Sequence, residues 1–167
     1  MQYSHYIKTG GKVLDVASGH GRNARWLAQQ GFRVTAVDRD ADALSILKNQ
    51  APSVDTQLQD LEQGYWPYSK EQFDAIIVCR YLHRPLLPLL ANSLASSGVL
   101  IYETFMEGHE QYGRPRNPDF LLKSNELLSS YIPVLKVIAY SEGIVEQEES
   151  PAVIQGLVAI RTSNRLS

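Results

Sequence analysis

Two acids and a bare loop stand close together near the start of the chain. Asp15 ends one apolar run, Asp38 ends the next, and Gly19 and Gly21 lie between them in "VLDVASGHGRNARWLAQQGFRVTAVDRD" (13–40). Missing Cβ atoms let a ligand approach the backbone. A glycine loop opening a helix ordinarily suits phosphate, because free N–H groups and the helix dipole are positive there. Asp15 opposes that choice, since a carboxylate inside the loop repels a pyrophosphate and suits a cation. An acid at the end of the second strand, as Asp38 is, accepts hydrogen bonds from a ribose diol. Together they describe a nucleoside that carries a positive charge and no phosphates.

A second set of residues can act on another molecule. Tyr102, Glu103 and Phe105 end the fifth apolar run, and His83, Glu103 and His109 are the candidate general bases. Arg80, Arg84, Arg114 and Arg116 belong to segments that follow central strands. If their guanidinium groups converge, they form a site for a carboxylate, phosphate or oxyanion. Tyr81 is counted with them as substrate-binding. Cys79, the only cysteine, reads as a small hydrophobe at a strand end rather than a nucleophile. It permits neither an internal disulfide nor a cysteine zinc cage, and no metal site is expected.

Alternating periods must position these groups. Strands are expected at 12–16, 32–38, 55–59, 73–79 and 98–105. Helices are expected at 22–30, 41–50 (capped by Asp40) and 85–95, the last with Leu86, Leu89, Leu90 and Leu94 on one face. Residues 106–122, "MEGHEQYGRPRNPDFLL", hold two Gly and two Pro and no sustained period. Such a loop reads as a lid over a binding site. A helix near 124–131 follows. Runs 133–141 and 152–162 then read as an antiparallel hairpin. The expected fold is α/β: a doubly wound, mostly parallel seven-stranded sheet ending in that hairpin, in a single domain over 1–167.

Composition excludes several partners. With a formal net charge of -2, the chain has no general positive field for nucleic acid or anionic lipid. No apolar run approaches the roughly 20 residues of a membrane helix, and the N-terminus lacks a signal-peptide core. A cytoplasmic protein acting on a small molecule is expected, with no nucleic acid or membrane partner.

The sequence resembles the class I S-adenosylmethionine-dependent methyltransferases. "VLDVASGHG" resembles their first motif and "VTAVDRD" the acidic end of their second strand. "LQDLE" (58–62) resembles the region after the third strand, "FDAIIVCRYLHR" the fourth-strand motif and "SSGVLIYETF" the fifth. "YETF…GRPRNPDFLL" with "YLHRP" looks like a small bacterial group related to tellurite-resistance methyltransferases. The resemblance implies the Rossmann-like methyltransferase fold, S-adenosylmethionine as methyl donor and S-adenosylhomocysteine as product. It implies a cofactor set of Asp15, Ala17, Gly19, Gly21, Asp38, Arg39, Asp60, Leu61 and Cys79, with Asp60 facing the adenine amino group. The function expected is methyl transfer to a small, anionic acceptor.

Three positions depart from the family pattern. Ala17 stands for the first glycine of the loop, and Arg80 stands where Asn or another small polar residue is expected. About eleven residues precede the first strand, where the family places a covering helix, so an open cofactor site is expected. Two rival functions remain: a non-catalytic module of the same fold, and a nicotinamide-dependent oxidoreductase. The oxidoreductase requires a pyrophosphate at the loop, which Asp15 disfavours.

Overall fold

The computed structural model describes residues 1–163; residues 164–167 of the expected 1–167 domain lie outside the described residues. One seven-stranded sheet has the order β3-β2-β1-β4-β5-β7-β6. Its strands are β1 (Lys12–Val16), β2 (Arg33–Asp38), β3 (Asp55–Leu58), β4 (Phe73–Cys79), β5 (Leu94–Phe105), β6 (Lys136–Val145) and β7 (Ala152–Ile160). β1 to β5 pair in parallel, and β7 runs antiparallel to both neighbours, β5 and β6. The doubly wound sheet with one reversed strand is as the strand-helix alternation predicts.

The central strands are nearly continuous in apolar residues because both faces are covered. On one face Val13, Ala75, Ile77 and Val99 pack with Ala24 and Leu27 of α1 (Arg22–Gln29) and Leu47 of α2 (Ala41–Gln50). On the other, Leu14, Ile76, Leu100 and Tyr102 pack with Leu87 and Leu90 of α3 (Leu87–Asn92) and Leu127 and Tyr131 of α4 (Glu126–Tyr131). Asp40 caps α2 as expected, accepting from the N–H groups of Asp42 and Ala43.

The third helix is shorter than its leucine spacing predicts. A single 3-10 turn, Arg84–Leu86, leads into α3, which stops at Asn92; Leu94 is already the first residue of β5. The cause lies seventy residues away. The Arg161 guanidinium donates to the carbonyls of Ala91, Asn92 and Leu94 at 3.4, 3.1 and 2.9 Å, satisfying the carbonyls that another helical turn would have used.

Segment 106–122 is tied at both ends. Met106 and Leu122 form a bridge in which Glu107 N–H donates to Leu122 O and Leu122 N–H to Phe105 O. Two 3-10 turns, His109–Gln111 and Pro118–Phe120, lie between. Arg84 grips its second half: Nη1 donates to Asp119 O at 2.9 Å, Nη2 to Leu121 O at 2.9 Å, and Nε and Nη2 to the Glu126 carboxylate at 2.8 and 3.0 Å. We therefore expect slow amide exchange at Glu107, Leu121 and Leu122 and fast exchange at Arg114, Arg116 and Asn117. Arg84→Gln should speed exchange at Leu121. Uniformly fast exchange across 106–122 in the unaltered protein would count against the clamp.

Candidate functional site

The strand order reverses between β1 and β4, so the connections that follow them leave towards opposite sides and a crevice lies at their carboxyl ends. A cavity of about 450 Å³ opens there. One end is lined by Val37, Asp38, Arg39, Gln59, Asp60, Leu61 and Glu62, from the turns after β2 and β3. The other is lined by Arg80, Tyr81, Leu82, Thr104 and Phe105, with Pro115 and Phe120 of the long segment. Ala17, from the loop after β1, lines it as well. The charged lining is three acids (Asp38, Asp60, Glu62) against two arginines (Arg39, Arg80). That balance suits a cationic ligand and disfavours a pyrophosphate.

Asp38 organises the first end. Its Oδ2 accepts from Gly19 N–H at 2.8 Å and its Oδ1 from Asp40 N–H at 2.8 Å, so one carboxylate joins two loops. Each oxygen keeps acceptor capacity for a hydroxyl. Asp60 accepts from Glu62 N–H and Gln63 Nε2; the Glu62 N–H above all holds its carboxyl below the usual range. Glu62 is bracketed by Arg39 at 3.4 Å and by His83 Nδ1 at 3.7 Å.

The two loop glycines divide their tasks. A Cβ on Gly19 would meet nothing, so its backbone is open to a ligand. A Cβ on Gly21 would overlap the Leu47 side chain, and Gly21 has a φ of 79°. Gly21 thus serves the contact between α1 and α2 rather than ligand approach. Ala17 has a φ of 53°, in the left-handed region where an L side chain costs about 1–2 kcal/mol. Glycine would relieve that strain while adding freedom to the unfolded chain. Ala17→Gly is therefore expected to stabilise by about 0.5–1 kcal/mol, read as a higher denaturant midpoint; a lower midpoint would reject strain at this position.

Asp15 is placed beneath the loop, 2 % exposed, and is not part of the cavity wall. Gly21, at the N-cap of α1, has no side chain to offer. The Asp15 carboxylate takes that part from below, engaging the Ala24 N–H, while its Oδ2 has no partner. Burial above all pushes its carboxyl up to about 7, and the Asp38 charge adds to the effect against the Ala24 N–H. Cys79 is half-buried and also outside the wall; burial and then the Glu103 carboxylate raise its thiol, so it stays protonated.

The four arginines do not converge. Arg84 spends its donors on the clamp just described. Arg114 and Arg116 are exposed and flank Pro115 without joining the cavity lining. Arg80 alone reaches it, with its guanidinium carbon 4.5 Å from the Phe105 ring centroid, Nη2 3.6 Å from Glu103, and Nη1 buried without a partner. Its φ of 57° explains why a small polar residue is expected at this position, since Asn tolerates the left-handed region better than Arg.

The candidate bases fare no better at the cavity. His109 is buried, and both ring nitrogens are committed: Nδ1 accepts from Val153 N–H at 3.2 Å and Nε2 donates to Arg114 O at 3.0 Å. His83 faces Glu62 and is not part of the lining. At the end of β5, Thr104 and Phe105 line the cavity and Glu103 does not. Glu103 instead lines a smaller cavity of about 210 Å³ with Gln2, Tyr3 and Ser141. The Tyr81 phenol is pushed up to about 12, mainly by burial and then by Glu62 and Asp60, and stays protonated. Phe120 lies within the stretch "GRPRNPDFLL" but is not among the expected site residues; only the folded chain brings it to the cavity.

This fold, with its crevice at the carboxyl ends of the strands, is that of a doubly wound methyltransferase domain. The chain belongs to the methyltransferase domain family, which matches residues 13–96, half of its length. It is 32% identical over 72 residues to a demethylmenaquinone methyltransferase of Tropheryma whipplei, an alignment covering 43% of this chain and 30% of that protein. The chain thus matches less than a third of the length of its curated relative. The crystal structure of TehB from Haemophilus influenzae superposes with a TM-score of 0.80 at 19% identity, over 97% of this chain and 60% of TehB. A methyltransferase structure from Methanosarcina mazei gives 0.76 at 13% identity, over 95% of both chains. At such identities the likeness is one of fold. Among the described residues no helix is long and apolar enough to cross a membrane.

Proposed function

We propose that this chain transfers a methyl group from S-adenosylmethionine to a small acceptor that is itself anionic. The observation that carries this reading is one cavity lined both by an acid-rich group, Asp38, Asp60 and Glu62, and by an aromatic group, Tyr81, Phe105 and Phe120. The residues present fit the cofactor. Asp38 has acceptor capacity and would hold a ribose diol, Asp60 and Gln59 of the same lining would meet the adenine, and the open backbone at Gly19 would admit the methionine portion. The acid excess, with Asp15 beneath the loop, favours its positive charges.

When bound, S-adenosylmethionine supplies an activated methyl group on a sulfonium leaving group. The chain's own residues hold the two partners in line and keep water out. Leu82, Phe105, Pro115 and Phe120 give the second end apolar walls. Among the described residues lining that end no carboxylate or free imidazole is available as a base, which favours an acceptor that is already ionised. The demethylmenaquinone methyltransferase relative supports the reaction class for this chain.

Calorimetry with S-adenosylhomocysteine and with NAD is the test. Binding of the nucleoside alone supports the reading. NAD binding alone would favour an oxidoreductase, and binding of neither a non-catalytic module.

A further inference from the structure

Phe120 is mounted unusually for an exposed aromatic. It is 46 % exposed and lines the cavity, yet the carbonyls on both sides of it, Asp119 O and Leu121 O, are held by Arg84. A large apolar side chain left open on a fixed backbone is the arrangement of a binding hot spot, because little order remains to be lost when a partner covers it. Tyr81 lines the same end; its own carbonyl accepts from Tyr102 O–H at 2.9 Å, which fixes it in turn. Arg80 lines this end too, with its guanidinium carbon 4.5 Å from the Phe105 ring centroid and Nη2 3.6 Å from Glu103. A guanidinium braced between a ring and a carboxylate has little freedom to lose when an anion meets its remaining donors.

We propose, resting on the methyl-transfer reading above, that this end takes a small aromatic acceptor whose nucleophilic atom is already ionised, an aromatic thiolate or acidic phenolate. The ring packs against Phe120 and Tyr81, and the Arg80 guanidinium holds the anion. In the transfer, the acceptor's anionic atom forms a bond to the methyl carbon as the carbon–sulfonium bond breaks. The electron pair of that bond stays on sulfur, which becomes a neutral thioether, and no proton moves. The absence of a base from this end is then a matched feature. Phe120 selects the ring, and Arg80 selects the ionised form.

The test is titration of the S-adenosylhomocysteine-saturated protein with 4-nitrothiophenolate, 4-nitrophenolate, neutral 4-nitroanisole and inorganic sulfate, followed by calorimetry. The two aromatic anions should bind more tightly than nitroanisole, and sulfate should not bind. Phe120→Ala should weaken the aromatic anions by about tenfold, Phe120→Leu should weaken them less, and neither should alter S-adenosylhomocysteine affinity. Arg80→Gln should weaken the anions by about tenfold and leave nitroanisole unchanged. With methyl-labelled cofactor, the thiolate should become labelled. Sulfate binding as tightly as the aromatic anions, or unchanged aromatic binding in both Phe120 variants, would overturn the proposal. S-adenosylhomocysteine binding with no aromatic anion bound would overturn it while leaving methyl transfer intact. Failure of S-adenosylhomocysteine to bind the unaltered protein would defeat both readings.

Discussion

Replacing Asp38 by alanine is expected to weaken S-adenosylhomocysteine binding by about 10- to 150-fold, the equivalent of roughly 1.5–3 kcal/mol for hydrogen bonds to a charged group. Two losses combine. The carboxylate would no longer be available to a ribose diol, and the N–H groups of Gly19 and Asp40 would lose their shared acceptor. Loosening Gly19 matters because its backbone is the part of the loop that stands open to a ligand. Asp38→Asn keeps one acceptor oxygen and should fall between the two. An alanine variant that melts normally and binds S-adenosylhomocysteine unchanged would remove Asp38 from the site.

The second large effect is a dependence of stability on pH that Asp15 imposes. Its carboxyl lies at about 7 in the folded chain against an ordinary 3.8, chiefly through burial. Between those values the folded state holds a proton that the unfolded state has lost. The contribution is therefore fully present below the unfolded value and is lost as pH rises through the folded one. The loss is on the order of 4 kcal/mol. Asp15→Asn removes the titrating group, so the variant should be the more stable protein at about pH 8 and should show a flatter profile. Cofactor affinity should change in the opposite sense. The α-ammonium group of the ligand favours the ionised Asp15, so S-adenosylhomocysteine should bind more tightly as pH rises towards about 7, and this trend should vanish in the Asn variant. Urea midpoints and calorimetric titrations across this range measure both. Parallel stability profiles for the two proteins would place the titration elsewhere.

These effects show how unevenly the site was written into the chain. The loop from Asp15 to Gly21 and the acid at Asp38 were legible because each is a local device, an acid at a strand end beside residues with special backbone freedom. The Asp40 cap of α2 was legible for the same reason. Gly21 read as a ligand glycine, yet it accommodates Leu47, twenty-six positions on. Arg80 read as a departure from the family pattern; its backbone conformation accounts for the residue expected there, and its contact with Phe105 shows what arginine does instead.

Strand-helix alternation, the terminal hairpin and the nucleoside loop were determined by the sequence itself, because side-chain period and turn chemistry act over a few residues. Which charged groups face the cavity was decided only in the folded chain. Arg84 was drawn away by Glu126 and two loop carbonyls, His109 by Val153 and Arg114, and the expected turn of helix through Leu94 by Arg161. Most of these partners lie 35 to 67 positions apart in sequence. A polar side chain buried or half-buried in a fold takes whatever donor or acceptor the packing brings within about 3 Å. No local pattern specifies that partner, and so the tertiary structure alone separates Arg80, which lines the cavity, from the three arginines that do not.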